Sequence, residues 1–245
     1  MDRGLPHGRA GWQDAETALN VGGITVAFDS ETAKRFVLEN TSVLTPPHVP
    51  EIRLRLADEA HALWLKTEEE LERIGLPPPF WAFAWAGGQG LARHVLDHPE
   101  LVRGKRVFDL ATGSGLVAIA AKMAGATQVV ANDVDPFCEA AVGLNSQVNA
   151  VSLRFDGNDF LASGSDLPQV DCVLAGDVFY DRMFSASAFA FLKRCADAGM
   201  RVLCGDPGRA YLPKDGLEKR AEYNIAVTRA LEDSEVKHTC VWEVM

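Results

Sequence analysis

Apolar positions along this chain change rhythm near residue 80. Residues 1–30 show weak periodicity and five glycines, and are expected to form a poorly ordered extension or an overlong gene start. Glu31–Leu44 carries a helical pattern that Thr45-Pro46-Pro47 ends. In EIRLRLA, Glu51–Ala57, the side chains of Ile52, Leu54 and Leu56 alternate with charges, the pattern of a half-buried strand. An acidic helix over Asp58–Ile74 follows, stopped by Gly75 and Pro77–Pro79. That proline run separates a short N-terminal α/β appendage, residues 31–79, from a main domain, residues 80–245.

In the main domain, short apolar runs alternate with helical stretches. RVFDL (Arg106–Leu110), QVVAND (Gln128–Asp133), VSLRF (Val151–Phe155), DCVLA (Asp171–Ala175) and RVLCG (Arg201–Gly205) are predicted strands. Leu116–Ala124, Pro136–Ala150 and Ser185–Ala198 are predicted helices, Pro136 sitting where a first helical turn tolerates it. Strands that are apolar on both faces and alternate with helices imply a parallel, doubly wound α/β sheet. Tyr223–Leu231 and Val236–Val244 end the chain as an antiparallel hairpin.

Composition narrows the function classes. The chain has 245 residues, 47% hydrophobic and 24% charged, which excludes wholesale disorder and fibrous architectures. A net charge of −10 argues against non-specific nucleic-acid binding, which needs a basic stripe. No uncharged apolar run is long enough to span a bilayer. The five cysteines (Cys138, Cys172, Cys195, Cys204, Cys240) are scattered without C-x-x-C spacing, pointing to a reducing compartment, the cytoplasm by default. His94 and His98 stand four apart but lack an evident third ligand, so they read as a solvated helix end and no metal is expected.

Candidate chemistry gathers at the strand ends. VFDLATGSG, Val107–Gly115, joins the first main-domain strand to its helix through Ala111, Thr112, Gly113 and Gly115. Gly113 and Gly115 permit a tight turn and close ligand approach beside a helix N-terminus. Asp109, four residues before Gly113, decides the ligand. Its carboxylate would repel a dinucleotide pyrophosphate but pairs with a cationic amino-acid group. S-adenosylmethionine carries an ammonium and a sulfonium and no phosphate. Asp133, with Val134 beside it, ends the second strand where a carboxylate can accept both ribose hydroxyls. Asn158 and Asp159 end the third, suited to the adenine amine; the alternative is that all of these are ordinary turn residues.

The fourth strand leads into Asp177-Val178-Phe179-Tyr180-Asp181 at the point where strand order reverses. Methyl transfer to a lysine needs a neutral amine aligned with the methyl group, from a group whose usual pKa is about 10.4. Asp177 and Asp181 could orient or deprotonate it, and Phe179 and Tyr180 could face the sulfonium and the lysine stem; alternatively both aromatics close the core. Trp85, before Gly87-Gly88, could lid the cofactor, or Trp81 and Trp85 could pin the appendage. Asp206 and Arg209 in GDPGR either contact the acceptor or form a turn. Between Asn132 and Asp181 stand nine acids and one base, Arg154, a field that favours a lysine-rich partner, or else serves solubility.

WAFAWAGGQ, RGKRVFDLATGSG, AIAAKMAGA, VVANDVDP, GDVFYD and RVLCGDPGR, with EIRLRL upstream, together resemble the lysine methyltransferases of the electron-transfer flavoprotein β subunit. The resemblance spans about residues 51–242. It implies a class I Rossmann-like methyltransferase fold and S-adenosylmethionine as cofactor, with the flavoprotein β subunit as substrate. It also implies Asp109 and Gly113 in the cofactor loop, Asp133 on the ribose, Trp85 near the cofactor, and Asp177, Phe179 and Tyr180 at the transfer site. Ala86 and Ala111 stand where related enzymes usually have Pro and Gly. The ribosomal protein L11 methyltransferases share much of this pattern, but their larger substrate domain is hard to fit in the appendage; a small-molecule methyltransferase and a non-catalytic S-adenosylmethionine-binding module are the other readings.

Overall fold

The computed structural model describes residues 18–21, 24–27, 29–57, 78–227 and 235–245. The acidic helix expected over Asp58–Ile74 and the turn of the C-terminal hairpin lie outside them. Within the stretch expected as an extension, β1 (Ala18–Val21) and β2 (Ile24–Ala27) pair antiparallel. Helix α1 (Ser30–Asn40) begins at Asp29, whose carboxylate accepts from Thr32 N. It stops short of the expected Leu44. Thr41 is extended, with its hydroxyl on Val37 O, and Ser42–Leu44 forms β3, paired with β4 (Leu54–Leu56). Cross-strand pairing overrides the helical pattern in this β-branched segment.

A 3-10 turn at Phe80–Ala82 precedes α2 (Ala86–Asp97). Then β5 (Arg106–Leu110), α3 (Leu116–Met123), β6 (Gln128–Asn132), α4 (Pro136–Val148) and β7 (Arg154–Asp156) follow in order. The chain continues through β8 (Cys172–Gly176), α5 (Arg182–Asp197), β9 (Arg201–Asp206), β10 (Leu217–Ala226) and β11 (Val236–Val244). β7 begins three residues later than the sequence suggests, because Val151 N still bonds Ser146 O at the end of α4. β10 begins before Tyr223, where Glu218, Arg220 and Glu222 hide the strand from a hydrophobic reading.

The seven-stranded sheet runs β7-β6-β5-β8-β9-β11-β10. β5 to β9 are parallel and β11 is inserted antiparallel between β9 and β10. This is the class I methyltransferase arrangement, and strand order reverses between β5 and β8. Period-2 alternation splits the interior in two. Val107, Cys172, Leu174 and Leu203 pack with α2 and α3 on one face. Phe108, Leu110, Val173, Ala175, Val202 and Cys204 pack with Phe191, Leu192 and Cys195 of α5 on the other. Val49, Ile52, Leu54 and Leu56 from the appendage join the first of these cores, and α1 packs on α4 through Ala33 and Val37. Among the described residues no helix is long and apolar enough to cross a membrane.

Candidate active site

The loop after β5 turns through left-handed backbone at Ala111 (φ 51°), Gly113 (φ 52°) and Gly115 (φ 83°) before α3 begins. Glycine accepts that conformation freely; Ala111 does so at a cost of about 1–2 kcal/mol. Asp109 is only 1% exposed, and its Oδ2 accepts from Thr112 Oγ1 and, at 3.0 Å, from Ala118 N. It therefore braces the loop against the first turn of α3. Thr112 N in turn donates to Asn132 O at 2.9 Å.

At the end of β6, Asp133 Oδ2 accepts from Gly113 N at 3.0 Å and Oδ1 from Asp135 N at 3.1 Å. Val134 projects outward, and Asp135 caps α4 by accepting from Phe137 N at 2.8 Å. Burial pushes the Asp109 carboxyl up to about 7, with the Asp133 charge adding to it. Burial, then the same neighbour, pushes Asp135 up to about 8, and burial raises Asp133 as well. Carboxyls crowded in this way favour a cationic ligand. Asn158 and Asp159 are exposed at the same edge but act as turn formers: Asn158 Nδ2 donates to Asp156 Oδ1, and Asp159 accepts from Leu161 N. Buried Asn132 holds their loop by donating to Asp156 O and Asn158 O.

Across the switch point, α2 starts almost in backbone contact with the ends of β8 and β9. A Cβ on Gly205 would lie 2.1 Å from Gly87 O, so only glycine fits there. Asp177 follows β8 in left-handed backbone (φ 57°) with its N–H on Gly205 O. Its Oδ2 accepts from Gly88 N at 2.7 Å in the first turn of α2. Its Oδ1 accepts from Arg209 Nε at 3.0 Å and Nη2 at 2.6 Å. The Arg209 guanidinium also lies 5.6 Å from the Trp85 ring centroid. Trp85 Nε1 donates to Phe80 O, and the Phe80 ring meets Tyr180 at 5.3 Å. Tyr180 is 43% exposed, and its hydroxyl pKa is raised by the surrounding burial and then by the charges of Asp133 and Asp181.

Five expectations are resolved by the packing. Phe179 is 0% exposed, with its ring against Phe189 in the α5 core, so the core alternative describes it. Asp181 caps α5 by accepting from Met183 N and Phe184 N. The two tryptophans divide the readings: Trp81 is buried and stacked on Phe137, pinning α1 and α4, while Trp85 faces Arg209. His94 is not solvated; it is buried, with Nδ1 3.1 Å from Tyr223 Oη. Asp206 is wholly buried, accepts from Gly208 N and Arg209 N at 2.7 Å each, and keeps an Oδ2 with no hydrogen-bond partner among the described residues. Burial pushes it up to about 6. Sequence reasoning missed Phe80, Asn132 and Asp135. Only Asp135, just before a helix-starting proline, left a cap signal that could have identified it.

The family model described as ribosomal protein L11 methyltransferase (PrmA) matches residues 94–176. The electron transfer flavoprotein beta subunit lysine methyltransferase of Homo sapiens is 37% identical, over 97% of this chain and 88% of that protein. The homolog of that enzyme in Caenorhabditis elegans is 35% identical over 82% of this chain and 87% of its own. The ribosomal protein L11 methyltransferase of Symbiobacterium thermophilum is 34% identical but covers 55% of this chain and 39% of that one. With such identity sustained from end to end, the chain belongs to the electron transfer flavoprotein beta subunit lysine methyltransferase family.

Proposed function

We propose that this protein methylates lysine on the electron-transfer flavoprotein β subunit, using S-adenosylmethionine. The 37% identity with the human enzyme of that name, over 97% of the chain, carries the reading. The residues suit the cofactor. Buried, crowded carboxyls at Asp109 and Asp133 lack charge compensation that an ammonium would provide, and the loop at Ala111, Thr112, Gly113 and Gly115 opens backbone beside them. When bound, S-adenosylmethionine supplies a methyl group activated by its sulfonium.

The chain's own residues divide the remaining work. Asp109 offers counter-charge to the methionine end while bracing the loop. Asp133 and Val134 face the ribose, and Asn158 and Asp159 border the adenine end. Trp85 and Tyr180, with Phe80 between them, form an aromatic wall on one side of Asp177, and Tyr180 stays 43% exposed to solvent. Asp177 has both oxygens engaged, so it orients the acceptor amine through remaining lone pairs, and the amine's proton passes to water. Arg209 and Asp206 hold that carboxylate in place and border the acceptor, and Asp181 fixes the following helix. The acid-rich stretch from Asn132 to Asp181 supports a cationic protein surface as partner over nucleic acid. All five cysteines are free, which supports a reducing cytoplasmic setting.

Incubation with methyl-labelled S-adenosylmethionine and purified flavoprotein is expected to label the β subunit. The L11 match over residues 94–176 makes ribosomal protein L11 the second acceptor to offer. Label on L11 or a small amine, with none on flavoprotein, overturns the acceptor; cofactor binding with no transfer to any of them favours a binding module.

A further inference from the structure

The C-terminal hairpin carries a second donor cluster, separate from the Asp177 element. β10 and β11 place Glu222 opposite Cys240 and Asn224 opposite His238. Side chains at 222, 238 and 240 therefore leave one face of the hairpin. A carboxylate oxygen of Glu222, an imidazole nitrogen of His238 and the Cys240 sulfur all lie within 4.8 Å of one another. No single short sequence motif announces them, because the hairpin alone brings Glu222 to a His-x-Cys pair.

The outer atoms of two of these side chains are already engaged. His238 Nδ1 lies 3.3 Å from Asn224 Oδ1, an acceptor, which holds a proton on Nδ1 once Nε2, facing the Glu222 carboxylate, gives its lone pair to a metal ion. That Nε2 stands 3.5 Å from Glu222 Oε2. Lys219 Nζ holds the other Glu222 oxygen, Oε1, from outside. Metal-ligating histidines and carboxylates are typically oriented by outer partners of this kind.

We propose that Glu222, His238 and Cys240 form a zinc-type divalent metal site. Thiolate and imidazole select borderline transition metals over magnesium or calcium. Three protein ligands leave the fourth tetrahedral position to water, and the thiol gives its proton to solvent as the metal–sulfur bond forms. Bond lengths of 2.0–2.3 Å put tetrahedral ligands about 3.5 Å apart. The cluster reaches that spacing by rotamer adjustment of side chains that are exposed or half-buried. The metal would clamp edge strand β10 to β11, whose Cys240 lies opposite Asp206 of β9. The site is independent of the proposed methyl acceptor.

Cobalt(II) titration of the full chain, freed of metal and kept reduced, tests it. A thiolate-to-cobalt charge-transfer band in the near ultraviolet and tetrahedral visible bands are expected, saturating at one equivalent. Zinc should bleach both, and magnesium neither. Cys240→Ser should abolish the charge-transfer band, and His238→Ala should weaken binding at least tenfold. Asn224→Ala, which removes only the outer partner of His238, should weaken it about 10–100-fold with the spectrum unchanged. Metal-free melting curves matching wild type would show that these variants fold. Absence of the band in wild type overturns the proposal, as does its survival in Cys240→Ser, which would assign the sulfur to another cysteine.

Discussion

If Asp109 meets the methionine ammonium, cofactor affinity must rise as the carboxyl ionises. Its pKa stands near 7 in the free protein because burial and then Asp133 disfavour the charge, outweighing the hydrogen bonds from Thr112 and Ala118. A bound cation favours the ionised form, so binding expels a proton wherever the free protein holds one. At pH 5.5 about 3% of a group with pKa 7 is ionised, and at pH 7 half, so affinity should rise roughly fifteenfold across that interval. Above about pH 8 the gain ends, because the ligand's own α-amino group loses its proton near 7.7–8.0. Asp133 and Asp135 titrate with Asp109 as a coupled cluster, which broadens the curve and leaves its direction unchanged. Calorimetry at several pH values, in buffers of differing ionisation enthalpy, reads both affinity and proton release. S-adenosylhomocysteine, with the same amino end and no sulfonium, should give the same slope. Asp109→Asn should weaken binding by about 2 kcal/mol at pH 7, roughly thirtyfold, and flatten the profile. Affinity that is flat or falls between pH 5.5 and 7 would refute the counter-ion role and leave Asp109 a loop brace alone.

The same carboxyls set the pH dependence of folding. Asp109, Asp135 and Asp206 stand at about 7, 8 and 6 when folded, against 3.8 in the unfolded chain. The folded state holds more protons across that window, so the urea midpoint of the free protein should fall as pH rises from 5 to 8.5; a rising midpoint would contradict these environments. Asp177→Asn should cut turnover by about 10²-fold or more, through misplacement of the acceptor, with cofactor affinity near wild type by calorimetry. Gly205→Ala puts a methyl group 2.1 Å from Gly87 O and should cost about 1–3 kcal/mol or more, lowering the melting temperature by several degrees; an unchanged melting temperature would contradict the close approach of α2. Ala111→Gly relieves about 1–2 kcal/mol of left-handed strain against about 0.4–1 kcal/mol of unfolded-chain entropy. A rise of about 1–3 °C in melting temperature is expected, and a fall would argue that the loop does not hold φ 51° at this position in solution.

The parallel strands were legible because burial on both faces makes them short uninterrupted apolar runs, and β5 falls on Arg106–Leu110 as the pattern predicts. β3 and the first half of β10 were not, since their positions are set by pairing with Leu54–Leu56 and with β11 rather than by hydrophobic rhythm. The acids and glycines of the site were visible as strand-end residues. Their partners were not. Nothing in the sequence says that Asp177 would divide its oxygens between Gly88 and Arg209, or that Phe179 would turn inward while Tyr180 stays exposed. The Glu222–His238–Cys240 cluster was equally hidden, because a cross-strand register creates it.

The turn at Asp177 explains how one short segment serves both the core and the site. Regular strand geometry would continue the alternation of β8 and leave no choice of direction. Left-handed backbone at residue 177, with its N–H held by Gly205 O, breaks that alternation. The carboxylate then swings toward the start of α2 and Arg209, while Val178 and Phe179 drop into the core under α5. Aspartate and asparagine are among the few side chains that accept this conformation readily, so the backbone alone does not distinguish them. What distinguishes them is Arg209: a guanidinium only 17% exposed at its side chain, stacked over Trp85, needs a full negative charge opposite it. On the proposed function, the requirement for aspartate here comes from holding that ion pair beside the acceptor, which makes Asp177 a positioning residue.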